Sequence, residues 1–284
     1  MEAIQKILFP TDFSPAAQNA FRYCLKLADA FKAEIQLLHV IYPQYEMLDL
    51  PVMATRAMQD KADVAKNVMQ SFVEFGLAQS QMSGQLSHIP VIRQEVELGS
   101  PAGIINAIAK RDDVDIIVMG TKGEHNLLEK LFGSVTTEVI KNAPCSIWVV
   151  PEHSRYEQIQ IAAYATNLNE ADPYHIWKVC QLLDPFSPIM HCIHVNANDS
   201  LEEAMDFSDF GKFFEYHAPT LQINFHALKG SIVNSVQEFS DNHDVDLLVM
   251  YAPHHGLFEQ VFHKSQTRRM AFQTSIPLLL FRPS

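Results

Sequence analysis

Cysteine is scarce in this 284-residue chain: four residues, at positions 24, 145, 180 and 192, form no CxxC pair and no zinc-ligand spacing. That excludes a disulfide-stapled scaffold and a zinc ribbon, and the thiols read as reduced core or near-surface groups. Basic residues are also few. There are 21 Lys and Arg against 33 Asp and Glu, a formal net charge of −12, and they are scattered. Contacts to a phosphate backbone need a basic stripe, so general nucleic-acid binding is excluded, although a local site for one small anion is not. Long hydrophobic runs are missing as well. Apolar runs such as Leu278 to Phe281 fall far short of the ~20 residues that cross a bilayer, so no membrane partner is expected. The first residues, MEAIQKILFPTDFS, lack the charged region, apolar run and small-residue cleavage site of a secretory signal. The expected location is cytoplasmic. Finally, no GxxxxGK followed by Ser or Thr, no GxGxxG and no GxSxG occurs, and no base stands beside the anion-binding segment described below, so the chain is not expected to be an enzyme. Slow hydrolysis is the one activity left open.

What is present is an internal repeat. KILFPTDFS (6–14) lies over IAAYATNLN (161–169), and LLHV (37–40) over CIHV (192–195), each at an offset of 155. Further on, GSPAGIINAIAKRDDVDIIVMG (99–120) matches GSIVNSVQEFSDNHDVDLLVMY (230–251) at an offset of 131. NLLEKLF (126–132) answers GLFEQVF (256–262), and PCSIWVV (144–150) answers SIPLLLF (275–281). Two domains of about 140 residues each suit the length and its 48% apolar composition. The polar stretch PEHSRYEQ separates them, giving domains 1–151 and 152–284.

In each half, short apolar β-branched runs alternate with stretches of helical period, the pattern of a parallel sheet covered by helices. The spacing predicts strands near 5–10, 34–41, 90–97, 114–119 and 146–150, and helices from Pro15, over 54–79, 100–111 and 134–142. Ser14 is placed to cap the first helix, with Pro15 in its first turn. Right-handed crossovers make each half an α/β, doubly wound, Rossmann-like parallel sheet. Ligands of such sheets bind beyond the carboxyl ends of the strands, where the strand order reverses.

The residues at those ends therefore carry the chemistry. Strand 1 ends in Pro10-Thr11-Asp12, strand 2 in His39-Val40, and strand 4 in Met119-Gly120-Thr121-Lys122-Gly123, followed by Gly133-Ser134-Val135-Thr136 opening a helix. Glycines let backbone approach a ligand, and a helix amino terminus adds free donors and positive potential, which together suit a phosphate; otherwise the glycines only make a tight turn. Asp12 suits a ribose hydroxyl or an amine, or else caps the following helix. Val40 flanks a base, or else is simply core.

The Pro-Thr-Asp, the His-Val and the Met-Gly-x2-Gly-x9-Gly-Ser segment together resemble the universal stress protein family in its tandem two-domain, UspA-like form. The resemblance covers nearly the whole chain. It implies two adenine nucleotide alpha hydrolase-like domains packed as a pseudo-dimer, and ATP, with Mg2+, as the ligand of the first. It also implies that base and ribose are held at Pro10, Thr11, Asp12 and Val40, and the phosphates at Met119, Gly120, Gly123, Gly133, Ser134 and Val135. A stress-response regulator or sensor that holds adenine nucleotide without efficient turnover is the implied function. The alternative is a structural or signalling scaffold with an empty pocket. RNA binding through GTKG, which matches a GxxG loop, fails because this loop follows a buried strand and the surface is acidic. Relatives pair through their last strand, so 146–150 and 277–281 are expected to pair within the chain. A further homodimer of whole chains is compatible with the sequence without being specified by it.

The second half departs from this pattern. Asp12 is answered by Asn167, Gly120 by Tyr251, Gly123 by His254 and Gly133 by His263 or Lys264, and seven of the ten glycines lie in 1–151. The nucleotide site is expected to be lost there. Histidine shows the opposite bias, with ten of thirteen beyond position 151. His191 and His194 fall on opposite faces of a strand and cannot share an ion, so no metal site is expected. The acidic, aromatic segment 199–217 suits an amphipathic helix, packed either on a partner or on its own sheet.

Overall fold

A computed structural model describes residues 4–43, 51–82, 86–121, 134–154, 156, 158–196, 208–252 and 276–283. The chain divides into two compact units, Ile4–Tyr156 and a second beginning at Glu157. In the first, the elements run β1 (Lys6–Pro10), α1 (Pro15–Phe31), β2 (Glu34–Ile41), α2 (Pro51–Met82), β3 (Ile92–Leu98), α3 (Pro101–Arg111), β4 (Ile116–Thr121), α4 (Ser134–Asn142) and β5 (Ser146–Pro151). The second unit runs β6 (Ile161–Ala165), α5 (Asp172–Leu183), β7 (Ile189–Asn196), α6 (Ser208–Tyr216), β8 (Ile223–Lys229), α7 (Ile232–Asn242), β9 (Leu247–Tyr251) and β10 (Leu278–Phe281), with a short 3-10 turn at Asp184–Phe186.

Within the first unit the strand order is β3-β2-β1-β4-β5, and within the second β8-β7-β6-β9-β10, every pair being parallel. The order reverses between β1 and β4, and again between β6 and β9. Strands buried on both faces need continuous apolar sequence, and Ile7, Leu8 and Phe9 of β1 and Ile116, Ile117 and Val118 of β4 are fully buried. Each start of a central strand is pinned by one carboxylate. Asp115 Oδ2 accepts from the backbone N–H of Gln5 and Lys6, both at 2.8 Å, and Asp246 Oδ2 accepts from Gln160 and Ile161 at 2.8 and 2.9 Å.

Duplication extends to backbone conformation. Phe13, Lys32 and Asp113 have positive φ, and so do Leu168, Ser187 and Asp244 at the offsets of 155, 155 and 131. Gly99 at φ 150° is matched by Gly230 at φ 118°. Turns that need a left-handed residue have thus survived the divergence of the side chains around them.

The first helix shows how local chemistry fixes an element. Ser14 stands at its amino end with extended backbone, and its Oγ accepts from Ala17 N–H at 3.2 Å, while Pro15 occupies the first turn. Lys32 closes the other end in a left-handed conformation, its N–H reaching the carbonyls of Ala28 and Asp29. Helix α2 lies close against α1 because Gly76 has no side chain; a Cβ there would sit 2.6 Å from the Phe21 ring. Phe21, Phe72 and Phe13 form a ring cluster beneath, with centroids 5.1 and 5.6 Å apart.

The stretch expected to link the domains belongs with the first unit as far as Tyr156. Asn19 Nδ2 donates to the carbonyl of Ser154 at 2.8 Å, and the Tyr156 ring meets Tyr23 edge-on at 4.8 Å. From 199–217, residues 199–207 lie outside the described residues. The remainder includes α6, whose buried Phe210 packs on Phe225 of β8 at 6.0 Å, so this helix covers its own sheet. Cys24, Cys180 and Cys192 are free and buried. Burial pushes the thiol of Cys180 up to about 12 and raises those of Cys24 and Cys192 well above their ordinary range, which leaves them protonated and unreactive.

Candidate functional site

A cavity of about 320 Å³ opens where the strand order of the first unit reverses. Its floor is formed by the carboxyl ends of three strands: Pro10, Thr11 and Asp12 after β1, Leu38, His39 and Val40 on β2, and Met119, Gly120 and Thr121 on β4. Its walls are the first turns of three helices, with Ser14, Ala16 and Ala17 from α1, Pro101 and Ile105 from α3, and Val135 and Thr136 from α4. Three amino-terminal helix ends converging on one space give it a positive potential and unpaired backbone donors, the conditions for holding an anion.

The loop after β1 is set by short hydrogen bonds. Thr11 N–H donates to Leu38 O at 2.8 Å, and Thr11 Oγ1 accepts from Phe13 N–H at 3.0 Å, which holds Phe13 at φ 62°. His39 Nδ1 donates to Thr11 O at 2.8 Å, and its ring stacks on Phe13 with centroids 4.4 Å apart. Asp12 is exposed, and its Oδ1 accepts from Ser14 N–H at 3.0 Å. The helix cap is therefore Ser14 rather than Asp12, and among the described residues Oδ2 of Asp12 has no protein donor.

Of the ten residues picked from the sequence, Pro10, Thr11, Asp12, Val40, Met119, Gly120 and Val135 line this single cavity. Ser134 opens α4. Gly123 and Gly133, with neighbouring Lys122, lie outside the described residues, as do His254, His255 and His263. Gly120 needs a correction. It lies inside β4, which extends through Thr121 rather than ending at 119, and its φ is not positive. What requires glycine is α1: a Cβ at 120 would stand 3.0 Å from Ala16 O and 3.1 Å from Ala20 Cβ. The sequence reading missed Ala16, Ala17, Pro101 and Ile105, although the helix amino termini at Ser14-Pro15 and Ser100-Pro101 announce them. It also quoted His39 without giving it a part, although His-Val recurs at 194–195.

The second unit keeps the same loop and changes the walls. Thr166 N–H donates to Ile193 O, Thr166 Oγ1 accepts from Leu168 N–H, and His194 Nδ1 donates to Thr166 O at 3.0 Å, each the counterpart of a bond in the first unit. However, Ala17, Ala20 and Gly120 are answered by Asp172, His175 and Tyr251. Asp172 is buried, accepting from Thr166 Oγ1, from Asn169 N–H at 3.2 Å and from Tyr164 OH at 3.4 Å. Burial, reinforced by Asp172 alongside, raises the Tyr164 phenol well above its ordinary range. His175 stacks on Tyr251 with centroids 4.0 Å apart and planes 19° from parallel. Rings and a carboxylate stand where the first unit has two methyl groups and a hydrogen. Asn167 replaces Asp12 and accepts from Asn169 Nδ2 at 2.8 Å. Among the described residues, no group of three or more His, Cys, Asp or Glu is placed to hold a metal ion. His191 and His194 point to different neighbours, as the strand period requires.

A parallel α/β sheet with a cavity at its switch point is a doubly wound, Rossmann-like architecture, and the sequence assigns this chain more narrowly. The profile of the universal stress protein family matches residues 3–151. The chain belongs to the universal stress protein family. It is 30% identical over 152 residues to Universal stress protein MJ0531 of Methanocaldococcus jannaschii, an alignment spanning 51% of this chain and 81% of that protein. It is likewise 30% identical over 154 residues to Universal stress protein MJ0577 of the same organism, spanning 51% and 94%. The fold extends over both halves. A universal stress protein from Archaeoglobus fulgidus superposes with a TM-score of 0.70 at 15% identity, covering 99% of this chain and 98% of that one. Among the described residues no helix is long and apolar enough to cross a membrane.

Proposed function

We propose that the first unit binds an adenine nucleotide, ATP accompanied by Mg2+, and that the protein acts in the cytoplasm as a stress-response regulator or sensor without efficient turnover of the nucleotide. The observation that carries this reading is the convergence of three strand ends and three helix amino termini on one cavity of about 320 Å³. Apolar groups, Val40 and Met119, suit the faces of a base, and the free Oδ2 of Asp12 suits a ribose hydroxyl. The first turn of α4, with Val135 and Thr136 on the cavity, suits phosphate oxygens. Magnesium usually keeps several waters and takes one or two carboxylates together with substrate phosphates. The described residues, with the single carboxylate of Asp12 on the cavity, fit a cation that arrives with the triphosphate better than one held by the protein alone. Among the described residues the titratable groups on the cavity are Asp12 and His39, and His39 Nδ1 is engaged by Thr11 O. The buried Asp172 and the stacked His175 and Tyr251 support loss of the site in the second unit.

Mass spectrometry of small molecules released from purified full-length protein tests the reading, alongside calorimetric titration with Mg-ATP. Adenine nucleotide is expected from the parent chain and not from Asp12→Ala or Gly120→Val. An empty parent chain that also fails to bind Mg-ATP at millimolar concentration would leave the scaffold reading in its place.

A further inference from the structure

Three histidines from three elements of the second unit meet at one point. His191 lies on β7, His226 on the neighbouring strand β8, and His243 caps the carboxyl end of α7. His191 Nδ1 is 2.8 Å from His226 Nε2, and ring centroids lie 4.9 Å (191–226), 5.5 Å (191–243) and 5.8 Å (226–243) apart. Phe239 of α7 packs on all three rings and stacks on His243 at 3.9 Å. The first unit holds different chemistry at the same places. Gln36, Glu95 and Asp112 stand 155, 131 and 131 positions earlier. There Gln36 Nε2 donates to Glu95 at 2.7 Å and to Asp112 at 2.8 Å, and Arg111 bonds both carboxylates. One edge of the duplicated fold is thus tied by compensated charges, and the other by imidazoles alone.

We propose that the His191–His226–His243 cluster makes the second unit acid-responsive, its protonation loosening α7 and the edge strand β8 from β7 while the equivalent edge of the first unit stays closed. This inference is independent of the nucleotide reading. The contact between His191 and His226 requires one nitrogen to donate and the other to accept. The pair can take up one proton by shifting tautomer and keep that bond. A second proton puts two N–H groups face to face and two positive charges beside each other.

Nothing described around the cluster offsets that charge. On β6 and β8 the strand neighbours of His191 are Ala163 and Asn224, which are uncharged. From α7 come Phe239 and His243, while Glu238, Asp241 and Asp244 are exposed and Asp241 is engaged by Gln237 at 2.8 Å. His243 Nδ1 donates to Phe239 O at 3.0 Å, which fixes the third ring beside the other two. Burial first, and then the neighbouring histidines, lower His191 and His226 from their ordinary range. The folded cluster therefore binds fewer protons than the unfolded chain. The stability it supports is complete above pH 6.5 and declines as the pH falls below that value.

Hydrogen exchange followed by mass spectrometry on the full-length protein, at pH 7.5 and 5.5 and corrected for intrinsic rates, tests this. In the parent chain, amides of 223–229 and 232–243 are expected to lose protection by about tenfold or more at the lower pH, and those of 92–98 and 101–111 to keep theirs. The first unit's chemistry is then transplanted as His191→Gln, His226→Glu, Asn242→Arg and His243→Asp, which should abolish the difference. Should that variant fail to fold, His226→Gln alone is expected to shrink the response. Equal protection at both pH values, or a response that survives either substitution, overturns the proposal. So does sub-micromolar uptake of zinc chloride at pH 7.5 that His243→Ala removes, since the cluster would then be a metal site.

Discussion

His175 and Tyr251 lie ring on ring at 4.0 Å, at the positions where Ala20 and Gly120 leave room in the first unit. The same backbone thus supports an open cavity in one copy and an aromatic stack in the other, and the exchange of three small residues for large ones is enough to account for it. Gly120→Val brings this change into the first unit in reduced form. The added carbons meet Ala16 O and Ala20 Cβ at about 3 Å, so α1 must shift. Overpacking of this kind costs ~1–3 kcal/mol. Thermal unfolding is expected to fall accordingly, with nucleotide binding weakened beyond what the lost stability explains. Unchanged binding in a folded variant would mean that the ligand does not touch the α1 side of the cavity.

Asp12 offers a cleaner separation of binding from folding. It is exposed, and the cap of α1 is Ser14, so Asp12→Ala removes only the 3.0 Å bond to Ser14 N–H from the protein itself. A hydrogen bond to a charged group contributes ~1.5–3 kcal/mol. Asp12→Ala is expected to weaken Mg-ATP binding by about 10- to 100-fold in calorimetric titration, with little change in melting temperature. Asp12→Asn, which keeps an acceptor, should lie between the two. A large loss of stability with unaltered affinity would assign Asp12 to the loop instead.

Ser14→Ala tests the cap directly. Its Oγ satisfies Ala17 N–H, one of the orphan donors of the first turn. The loss is expected to cost about 1 kcal/mol, seen as a lower unfolding midpoint in urea. Ala17 also lines the cavity, so freeing its N–H leaves a donor that an anion could take. Any nucleotide effect should therefore be small compared with that of Asp12→Ala.

Most of the architecture was legible because strands buried on both faces must be continuously apolar and helices must begin at caps. The helix expected over 134–142 and the strand over 34–41 have those limits in the structure. What was not legible at Gly120 is why the position must be glycine. A glycine reads as punctuation in a sequence, whereas here it answers a close approach by α1, a contact made 100 residues away in the chain. Tyr156 likewise looked like linker because nothing local announces its packing on Tyr23. The histidine cluster escaped notice because spacing along one chain does not say which faces of β7, β8 and α7 will meet. Projected through the repeat, however, its members fall on Gln36, Glu95 and Asp112. Six of the seven lining residues stand at the three strand ends that strand order, inferred from alternating periods, brings to one cavity, and Val135 joins them from the first turn of α4.

The ionic network of the first unit should respond to acid in a lower window than the histidines of the second. Hydrogen bonds from Arg111 and then Gln36 hold the Asp112 carboxyl down at about 2. Burial works to raise Glu95, and bonds from Gln36 and Arg111 outweigh it, so that group is also lowered. Glu97 moves the other way, raised by burial and by Glu95. For Asp112 and Glu95 the folded value lies below the unfolded one, so their contribution is complete above about pH 4 and is lost as the pH falls toward 2. Glu97 opposes this with the reverse sign. Arg111→Gln removes the guanidinium that contributes to both shifts while leaving Gln36 in place. Urea midpoints measured between pH 5 and 2.5 are therefore expected to fall less steeply in that variant than in the parent chain, with the two curves converging at the acid end. Curves that run parallel across the window would show that Arg111 fixes geometry at this edge and not the titration of its neighbours.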